Sequence, residues 1–445
     1  MVALDLRLRV TSPELLALPW SEPLGEWDPT LVALRDILVG PSRHLVRFVE
    51  ADGRLWALKE LPERLARREY TVLRELERRN LAAVRVAGVV VRAGDDAAVL
   101  VTHYLERSWQ YRRLLMRVPA SMRVHRARLL DAVAVLLVDL HRNGIYWGDC
   151  SLANSLFMRD GQTIQAWLVD AETAEVHPQL TDGQRRHDLD ITVENVAGGL
   201  LDVAARREEP AEAFPGIFDE ARGVADRYDQ LWGLLHDEPI LGLEDRYEIE
   251  ARLRKLNEIG FAVDEVRLEP AGASADGSGD DGSEHGSSHG RGQSSDRGEQ
   301  LRMKVAVAGR SFHSEQLRSL TGMEVGEGKA TILLNDLRAY HTQMQQEAGR
   351  HVPDGVAARH WMAEVFLPGA ERAHEALHGV GDRTQAYCDL LEVRWLLSEA
   401  AGYDIGDRTA LEALDERDTP GESAANLGFV DLATEELPAV PPDAE

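Results

Sequence analysis

The stretch that decides the fold is GIYWGDCSLANSLF, residues 144–157, together with AWLVD at residues 166–170. It places Asp149 five residues before Asn154 in a short polar loop, and Asp170 at the end of the next apolar run. A carboxylate can orient a hydroxyl nucleophile, and carboxylate and amide oxygens are the hard ligands that Mg²⁺ prefers. The same residue types also cap turns, which is their commoner use. The pattern therefore predicts either two turn caps or one side of a metal–phosphate site.

A lysine and a glutamate upstream favour the second interpretation. Lys59 ends the alternating strand LWALKEL, where a lysine is usually solvated. In the helix predicted next, Leu65, Glu69, Val72 and Leu76 follow one another at helical spacing, so Glu69 lies on the apolar stripe. A carboxylate in that position needs a cation, and Lys59 is the nearest candidate. Helix phase thus predicts a Lys59–Glu69 ion pair.

Composition excludes several classes of protein. The chain has 445 residues, of which 44% are hydrophobic and 28% charged, as in an ordinary globular protein of two or three domains. Its net charge of −26 argues against a nucleic-acid binder, which needs a basic face. No run of about 18 apolar residues predicts a membrane span, and no secretory signal is recognisable. With only two cysteines, we expect a cytoplasmic location.

The front half alternates strands with helices. Three strands are predicted over DILVG, LVRFVEADG and RLWALKEL, with Asp52-Gly53 as the hairpin turn between the last two. A helix over PERLARREYTVLRELERRN and two strands over VRVAGVVVRAGDDAAVLVTHYL come next. A long apolar helix from Met122 to Asn143 leads to the polar loop, which is followed by a hairpin and by a helix that begins near RRHDLDITV.

The back half is predicted to be mainly helical around one pair of strands. Residues 271–300 are rich in Gly, Ser and Asp and nearly free of apolar side chains, so we expect them to be disordered. Strands are predicted on both sides, over VDEVRLEP and LRMKVAVAG, which makes this segment a long hairpin loop inside one domain. The acidic, proline-rich residues 431–445 are predicted to be a disordered tail.

These parts, in this order, resemble the protein-kinase-like superfamily. The resemblance implies that Lys59 grips the α/β phosphates of ATP, that Glu69 holds Lys59, that Asp149 is the catalytic-loop aspartate, and that Asn154 and Asp170 bind Mg²⁺. It implies an α+β, bilobal fold, with an antiparallel sheet and a helix in the N-lobe and a helical C-lobe. Under it, LVTHYLER resembles the adenine-binding hinge at His103 and Leu105, and Asp188 braces the catalytic loop.

The short segment after Asp170 resembles the lipopolysaccharide-kinase and aminoglycoside-kinase branch. The whole chain is similar to an actinobacterial, lipopolysaccharide-kinase-like family with a C-terminal domain of unknown function 4032, through YWGDCSLANSLF, RRHDLDITVENVAGGLLD and EVRWLLSEAAGYDIG. The resemblance implies an N-terminal extension (residues 1–29), a kinase-like domain (30–235) and a mainly helical α/β C-terminal domain (236–430). That last domain is a candidate for binding a protein partner.

Three departures from the kinase pattern leave two functions open. Trp147 stands where most of these kinases have histidine, and Glu172 replaces the glycine of the Asp-Phe-Gly element. The phosphate loop VGPSRHL has a single glycine, Gly40, although Gly40 and Ser42 can offer main-chain N–H groups and Arg43 adds charge. We therefore predict an ATP- and Mg²⁺-dependent phosphotransferase acting on a hydroxyl of an unknown acceptor, or alternatively a nucleotide-binding pseudokinase that regulates or scaffolds a partner.

Overall fold

The structure is a computed structural model that describes residues 4–37, 43–92, 94, 96–118, 122–208, 214–241, 246–270 and 301–428. Gly40 and Ser42 of the predicted phosphate loop, the predicted disordered insert 271–300 and the predicted tail 431–445 lie outside these ranges. The chain forms two compact units, Met1–Tyr228 with Gly369–Glu445, and Asp229–Pro368.

Strands and helices are numbered in chain order. The strands are β1 (Leu4–Leu8), β2 (Leu34–Arg35), β3 (Leu45–Ala51), β4 (Arg54–Pro62), β5 (Val86–Arg92), β6 (Ala97–His103), β7 (Trp109–Gln110), β8 (Ile145–Tyr146), β9 (Ser155–Asp160), β10 (Thr163–Leu168), β11 (Glu175–Val176), β12 (Ile240–Leu241), β13 (Ala262–Pro270) and β14 (Leu301–Gly309). The helices are α1 (Pro13–Leu16), α2 (Glu63–Arg78), α3 (Tyr111–Arg117), α4 (Arg123–Arg142), α5 (Asp182–Arg206), α6 (Phe214–His236), α7 (Arg246–Glu258), α8 (Phe312–Thr321), α9 (Glu327–Ala348), α10 (Asp354–Trp361), α11 (Leu367–Ala376), α12 (Arg383–Ala401), α13 (Gly406–Asp415) and α14 (Ala425–Gly428).

The first unit contains an antiparallel sheet of six strands, in the order β1-β5-β6-β4-β3-β2. The predicted turn between β3 and β4 is confirmed: Asp52 and Gly53 have φ angles of 50° and 66°, which is the left-handed conformation that a two-residue hairpin needs. Of the strand predicted over DILVG, Asp36 and Ile37 are not in a strand, and residues 38–40 lie outside the described ranges. Strand β2 ends at Arg35, because aspartate is disfavoured in strands and Asp36 follows.

Helix α2 packs against this sheet through one face. Its buried residues include Glu69, Val72 and Leu76, as the spacing predicted. Main-chain hydrogen bonds join β6 to β4, and residue 59 pairs with residue 100 in that ladder. Strand β4 and helix α2 therefore bring Lys59 and Glu69 to the same side of the sheet.

The helical part of the first unit carries two small sheets. The long helix predicted from Met122 to Asn143 is α4, and Gly144 leaves it with a φ of +70°. The predicted hairpin is also confirmed, because β9 and β10 pair antiparallel from Thr163↔Asp160 to Leu168↔Ser155, and β9 pairs in turn with β7. The hairpin begins directly after Asn154 and ends two residues before Asp170.

The second unit contains the predicted pair of back-half strands. Strands β13 and β14 are antiparallel neighbours, with β12 on the other side of β14, so the strands that flank residues 271–300 do belong to one sheet. Helices α7 to α10 complete this unit, and a π-helical turn over Met362–Phe366 follows α10. Helices α12, α13 and α14 belong to the first unit.

Candidate active site

Lys59 lies at the centre of a cluster of carboxylates. Its Nζ is 3.1 Å from Oε2 of Glu69 and 2.8 Å from Oδ2 of Asp170, and the side chain is 14% exposed. Burial lowers the pKa of Lys59, but the attraction of Glu69 and Asp170 outweighs it and raises that pKa above its ordinary value. The lysine is therefore a fixed positive charge, held between helix α2 and the end of the β9–β10 hairpin.

Glu69 is the buried member of this cluster, with 1% of its side chain exposed. Burial raises its pKa to about 7, against the attraction of Lys59. Its second oxygen, Oε1, accepts a hydrogen bond from the main-chain N–H of Ala171 at 3.3 Å. Glu69 thus contacts both Lys59 and the residue after Asp170, so helix α2 is tied directly to the predicted metal-binding segment.

Asp149 and Asn154 face each other across the polar loop. The Asn154 Nδ2 donates to Oδ2 of Asp149 at 3.0 Å and to the Asp149 carbonyl at 3.1 Å. Asn195 of helix α5 donates to the carbonyl of Cys150 at 3.0 Å and lies 3.5 Å from Oδ1 of Asp149. The sequence pattern gave no indication of Asn195, because this residue lies 46 residues beyond Asp149 in the chain.

The loop and the hairpin bring Asn154 close to Asp170. The main-chain N–H of Val169 donates to the carbonyl of Asn154 at 3.0 Å. Because Nδ2 of Asn154 points at Asp149, its Oδ1 is the atom left for a cation. One amide oxygen and one carboxylate suit Mg²⁺, which takes few protein ligands and keeps positions for phosphate and water. Within the described ranges, no three His, Cys, Asp or Glu side chains converge to form a metal cage.

Asp188 fixes the main chain of the loop that contains Asp149. Its side chain is fully buried and accepts hydrogen bonds from the main-chain N–H groups of Trp147 at 2.7 Å and Gly148 at 2.8 Å. Nε2 of His141 lies 3.1 Å from Oδ2 of Asp188, and Nδ1 of His141 lies 2.8 Å from the hydroxyl of Tyr228. Two main-chain donors that precede Asp149 are therefore fixed by one carboxylate.

Glu172 adds an unexpected partner to the lysine cluster. Its Oε2 lies 3.6 Å from Nζ of Lys59 and 3.0 Å from Nε2 of His44. His44 belongs to the VGPSRHL segment that was predicted to meet phosphate, yet nothing in the sequence pattern singled it out. Three carboxylates, those of Glu69, Asp170 and Glu172, consequently surround one ammonium group.

The two residues of the predicted hinge, His103 and Leu105, differ in the hydrogen bonds that their main-chain groups make. The N–H of His103 donates to the carbonyl of Arg85 at 2.9 Å, so this N–H is already occupied. The carbonyl of Leu105 accepts from Oγ of Ser108 at 2.7 Å. Among the described residues, no acceptor is found for the N–H of Leu105. Arg43 is exposed.

Comparison with known families agrees with this arrangement. Residues 52–194 match the family model described as the lipopolysaccharide kinase (Kdo/WaaP) family, a range that includes the lysine, the three acids and the asparagine of the predicted site. Residues 230–278 and 292–416 match the domain of unknown function DUF4032. The resemblance predicted from the sequence is confirmed for both parts of the chain, and with it the α+β, kinase-like fold class.

The structural and curated comparisons add two facts. A solved chain described as WaaP in complex with acyl carrier protein is 19% identical, with a TM-score of 0.30, and the alignment covers 45% of this chain and 88% of that one. No curated protein matches the chain. In the part of the chain that the structure describes, no helix combines the length and the hydrophobicity needed to cross a bilayer.

Proposed function

We propose that this chain, whose residues 52–194 carry a lipopolysaccharide kinase (Kdo/WaaP) family domain, transfers the γ-phosphoryl group of ATP to a hydroxyl group of an acceptor. The observation that carries the proposal is the position of Lys59, 3.1 Å from Glu69 and 2.8 Å from Asp170. In a phosphotransferase of this type, a fixed cation must stand beside the phosphates, and a metal-binding carboxylate must stand beside the cation.

Each polar side chain of the cluster has a distinct part in the proposal. Lys59, held by Glu69, binds oxygens of the α and β phosphates. Asp149 orients the acceptor hydroxyl and receives its proton as the new P–O bond forms and the bond to the β-phosphate oxygen breaks. Asn154 and Asp170 would hold Mg²⁺, which when bound neutralises phosphate charge. Catalysis then rests mainly on positioning and on charge stabilisation.

The adenine is proposed to lie against the hinge. The carbonyl of His103 would accept from the adenine amino group, and the N–H of Leu105 would donate to the ring. Gly40, Ser42 and Arg43 complete the proposal as the phosphate loop. The acceptor is proposed to be a small molecule or a sugar, because the segment between Asp170 and helix α5 is short for a peptide platform. A cytoplasmic location and a protein partner for residues 236–430 remain predictions of the same scheme.

A specific contact favours a second candidate function. Glu172 places a third carboxylate beside Lys59 and pairs with His44. That extra negative charge opposes bound phosphate, because like charges in a partly buried site repel strongly. A nucleotide-binding pseudokinase that regulates a partner through its C-terminal domain is therefore the alternative.

Turnover of γ-labelled ATP by the purified full chain tests the proposal. Asp149→Asn should abolish phosphoryl transfer while Mg·ATP still raises the melting temperature, because the variant keeps the hydrogen bond to Asn154 and loses only the proton acceptor. Asp190→Asn, the same change at an exposed position of helix α5, is the matched control and should behave as the parent. The acceptor is sought by incubating the chain and labelled ATP with a cell extract and identifying the labelled product.

The alternative predicts a different pattern of results. Mg·ATP, or ATP without metal, would stabilise the parent, and no phosphoryl transfer would be detected with any acceptor in a broad panel. Equal turnover by the parent and by Asp149→Asn would exclude the assigned role of Asp149.

A further inference from the structure

We propose that residues 383–428, which we call the C-terminal clamp, are a working part of the catalytic unit and that Gln385 and Asp389 are positioning residues for the β9–β10 hairpin. The clamp consists of helices α12, α13 and α14 with their connections. Residues 383–416 of the clamp fall in the range that matches DUF4032. The catalytic consequence rests on the proposed function, whereas the structural consequence does not.

Gln385 binds the turn of the hairpin as a neighbouring strand residue would. The main-chain N–H of Gly161 donates to Oε1 of Gln385 at 3.0 Å, and Nε2 of Gln385 donates back to the Gly161 carbonyl at 3.0 Å. Gly161 has a φ of +64° and forms the tip of the hairpin. Both main-chain groups of this residue are therefore satisfied by one side chain that comes from 224 residues further along the chain.

Asp389, one helical turn after Gln385, neutralises a buried arginine of strand β9. The side chains of Arg159 and Asp389 are each 5% exposed. Both terminal nitrogens of the guanidinium reach the carboxylate, one of them at 3.1 Å, and Gln385 donates to the same carboxylate at 3.0 Å. Nε of Arg159 has no acceptor among the described residues. Loss of the Asp389 charge would leave a buried cation without its carboxylate, which is strongly unfavourable.

The clamp also holds helix α4, which packs against β10. His125 of α4 donates from Nε2 to the carbonyl of Gly421 at 2.9 Å, and Arg128 donates to the carbonyl of Glu422 at 3.2 Å. Within the clamp, Glu392 accepts from Oγ of Ser423 and from the N–H of Ala424, both at 2.9 Å. Helix α12 and the stretch around residue 422 therefore fix the hairpin and the helix behind it at the same time.

The far end of this hairpin carries the predicted metal ligands. The strands pair without interruption from the tip at Gly161 to Ser155↔Leu168, next to Asn154 and two residues before Asp170. At about 3.3 Å per residue, the tip lies roughly 20 Å from these ligands. A fully paired antiparallel ladder shifts as a unit, so a displaced tip displaces Asn154 and Asp170 together. A shift of about 1 Å at reacting groups can cost about a hundredfold in rate.

The test uses full-length variants with two readouts. Asp389→Asn and Gln385→Ala should each raise two quantities by about tenfold: the Mg²⁺ concentration needed for half-maximal activity, and the KM for ATP. Hydrogen–deuterium exchange should become faster at residues 154–157 and 166–170, far from the substituted side chains. Arg394→Gln is the matched control, because Arg394 of the same helix pairs with Asp404 and Asp407 and not with a residue of the hairpin. It should change neither readout, even if it lowers the melting temperature.

A double variant tests whether Arg159 and Asp389 act through one contact. Arg159→Gln combined with Asp389→Asn should lose no more activity and stability than the worse single variant.

Unchanged exchange at residues 154–157 and 166–170 in Asp389→Asn and Gln385→Ala would overturn the proposal and leave the clamp a purely stabilising element. If the parent neither binds nor turns over Mg·ATP, the proposed function fails, and the exchange result still decides the role of the clamp.

Discussion

The indole Nε1 of Trp147 donates a hydrogen bond to the main-chain carbonyl of Asp170, 3.4 Å away. Trp147 is fully buried. Its main-chain N–H donates to Asp188, and its main-chain carbonyl accepts from Oγ1 of Thr173 at 2.8 Å. One residue thus joins the loop of Asp149, the predicted metal-binding aspartate and the segment that follows it. The ring that replaces the expected histidine still provides an N–H donor, so this departure from the kinase pattern leaves the architecture of the site intact.

Trp147→Phe should weaken the link between the two loops. The change removes the N–H donor and keeps most of the ring, so we expect about 1 kcal/mol lower stability and a clear rise in the KM for Mg·ATP. Trp147→His keeps a donor and should retain more turnover than Trp147→Phe. Trp20→Phe is the control, because Trp20 is a buried tryptophan that donates to the Leu15 carbonyl at 3.0 Å. Equal kinetic losses in Trp147→Phe and Trp20→Phe would contradict the prediction.

Lys59→Ala should remove nucleotide-dependent behaviour. Without the ammonium, Glu69, Asp170 and any bound phosphate lose their shared cation, so ATP turnover should fall by at least about a hundredfold. Mg·ATP should also no longer raise the melting temperature. Lys255→Ala, at an exposed position of helix α7, is the matched control. Turnover within a factor of two or so of the parent would refute the role of Lys59.

Glu69 should make stability depend on pH. Its pKa is raised from 4.5 to about 7 in the folded chain, so the neutral form is favoured by folding. The stabilisation is complete below about pH 4.5 and is lost as the pH rises through 7, a change of up to about 3 kcal/mol. Compared with Glu69→Gln, the parent should therefore lose unfolding free energy between pH 4.5 and 7 and then stay level.

A second glutamate of the same helix provides the control for that experiment. Hydrogen bonds from Arg78 and Arg79 lower the pKa of Glu75 to about 2, so the stabilisation from Glu75 is lost only as the pH falls from 4.5 through 2. Glu75→Gln should therefore follow the pH dependence of the parent above pH 5. If the parent and Glu69→Gln have parallel stability curves from pH 4.5 to 8, the raised pKa of Glu69 is contradicted.

Glu172→Gln should distinguish repulsion of phosphate from metal binding. Removing one negative charge 3.6 Å from Lys59 should tighten ATP binding by up to about tenfold if Glu172 opposes phosphate. A higher Mg²⁺ requirement with no gain in ATP affinity would show instead that Glu172 helps to bind the cation. Glu175→Gln is the control, because Glu175 lies in the same segment but pairs with the exposed Arg68. It should leave the ATP affinity and the Mg²⁺ requirement unchanged. Isothermal titration with ATP at several Mg²⁺ concentrations separates the two outcomes.

Much of the site follows from local sequence pattern. The phase of helix α2 places Glu69 on its buried face, and strand alternation places Lys59 on the side toward it, because both periodicities are set by backbone geometry within one element. The five-residue spacing of Asp149 and Asn154 holds within a single loop. The Asp52-Gly53 pair specifies its turn because a left-handed conformation is tolerated there. These features needed no knowledge of how distant elements pack.

Other features were decided by the tertiary structure alone. Glu172 meets His44 across 128 residues and Arg159 meets Asp389 across 230 residues, in a chain with 50 basic and 76 acidic side chains to choose from. Neither periodicity nor spacing selects one partner among so many, because the choice depends on which surfaces of separate elements are buried against each other. The sequence by itself therefore determined which residues are candidates for the chemistry, and only the packed fold decided that helix α12 contacts the hairpin between Asn154 and Asp170.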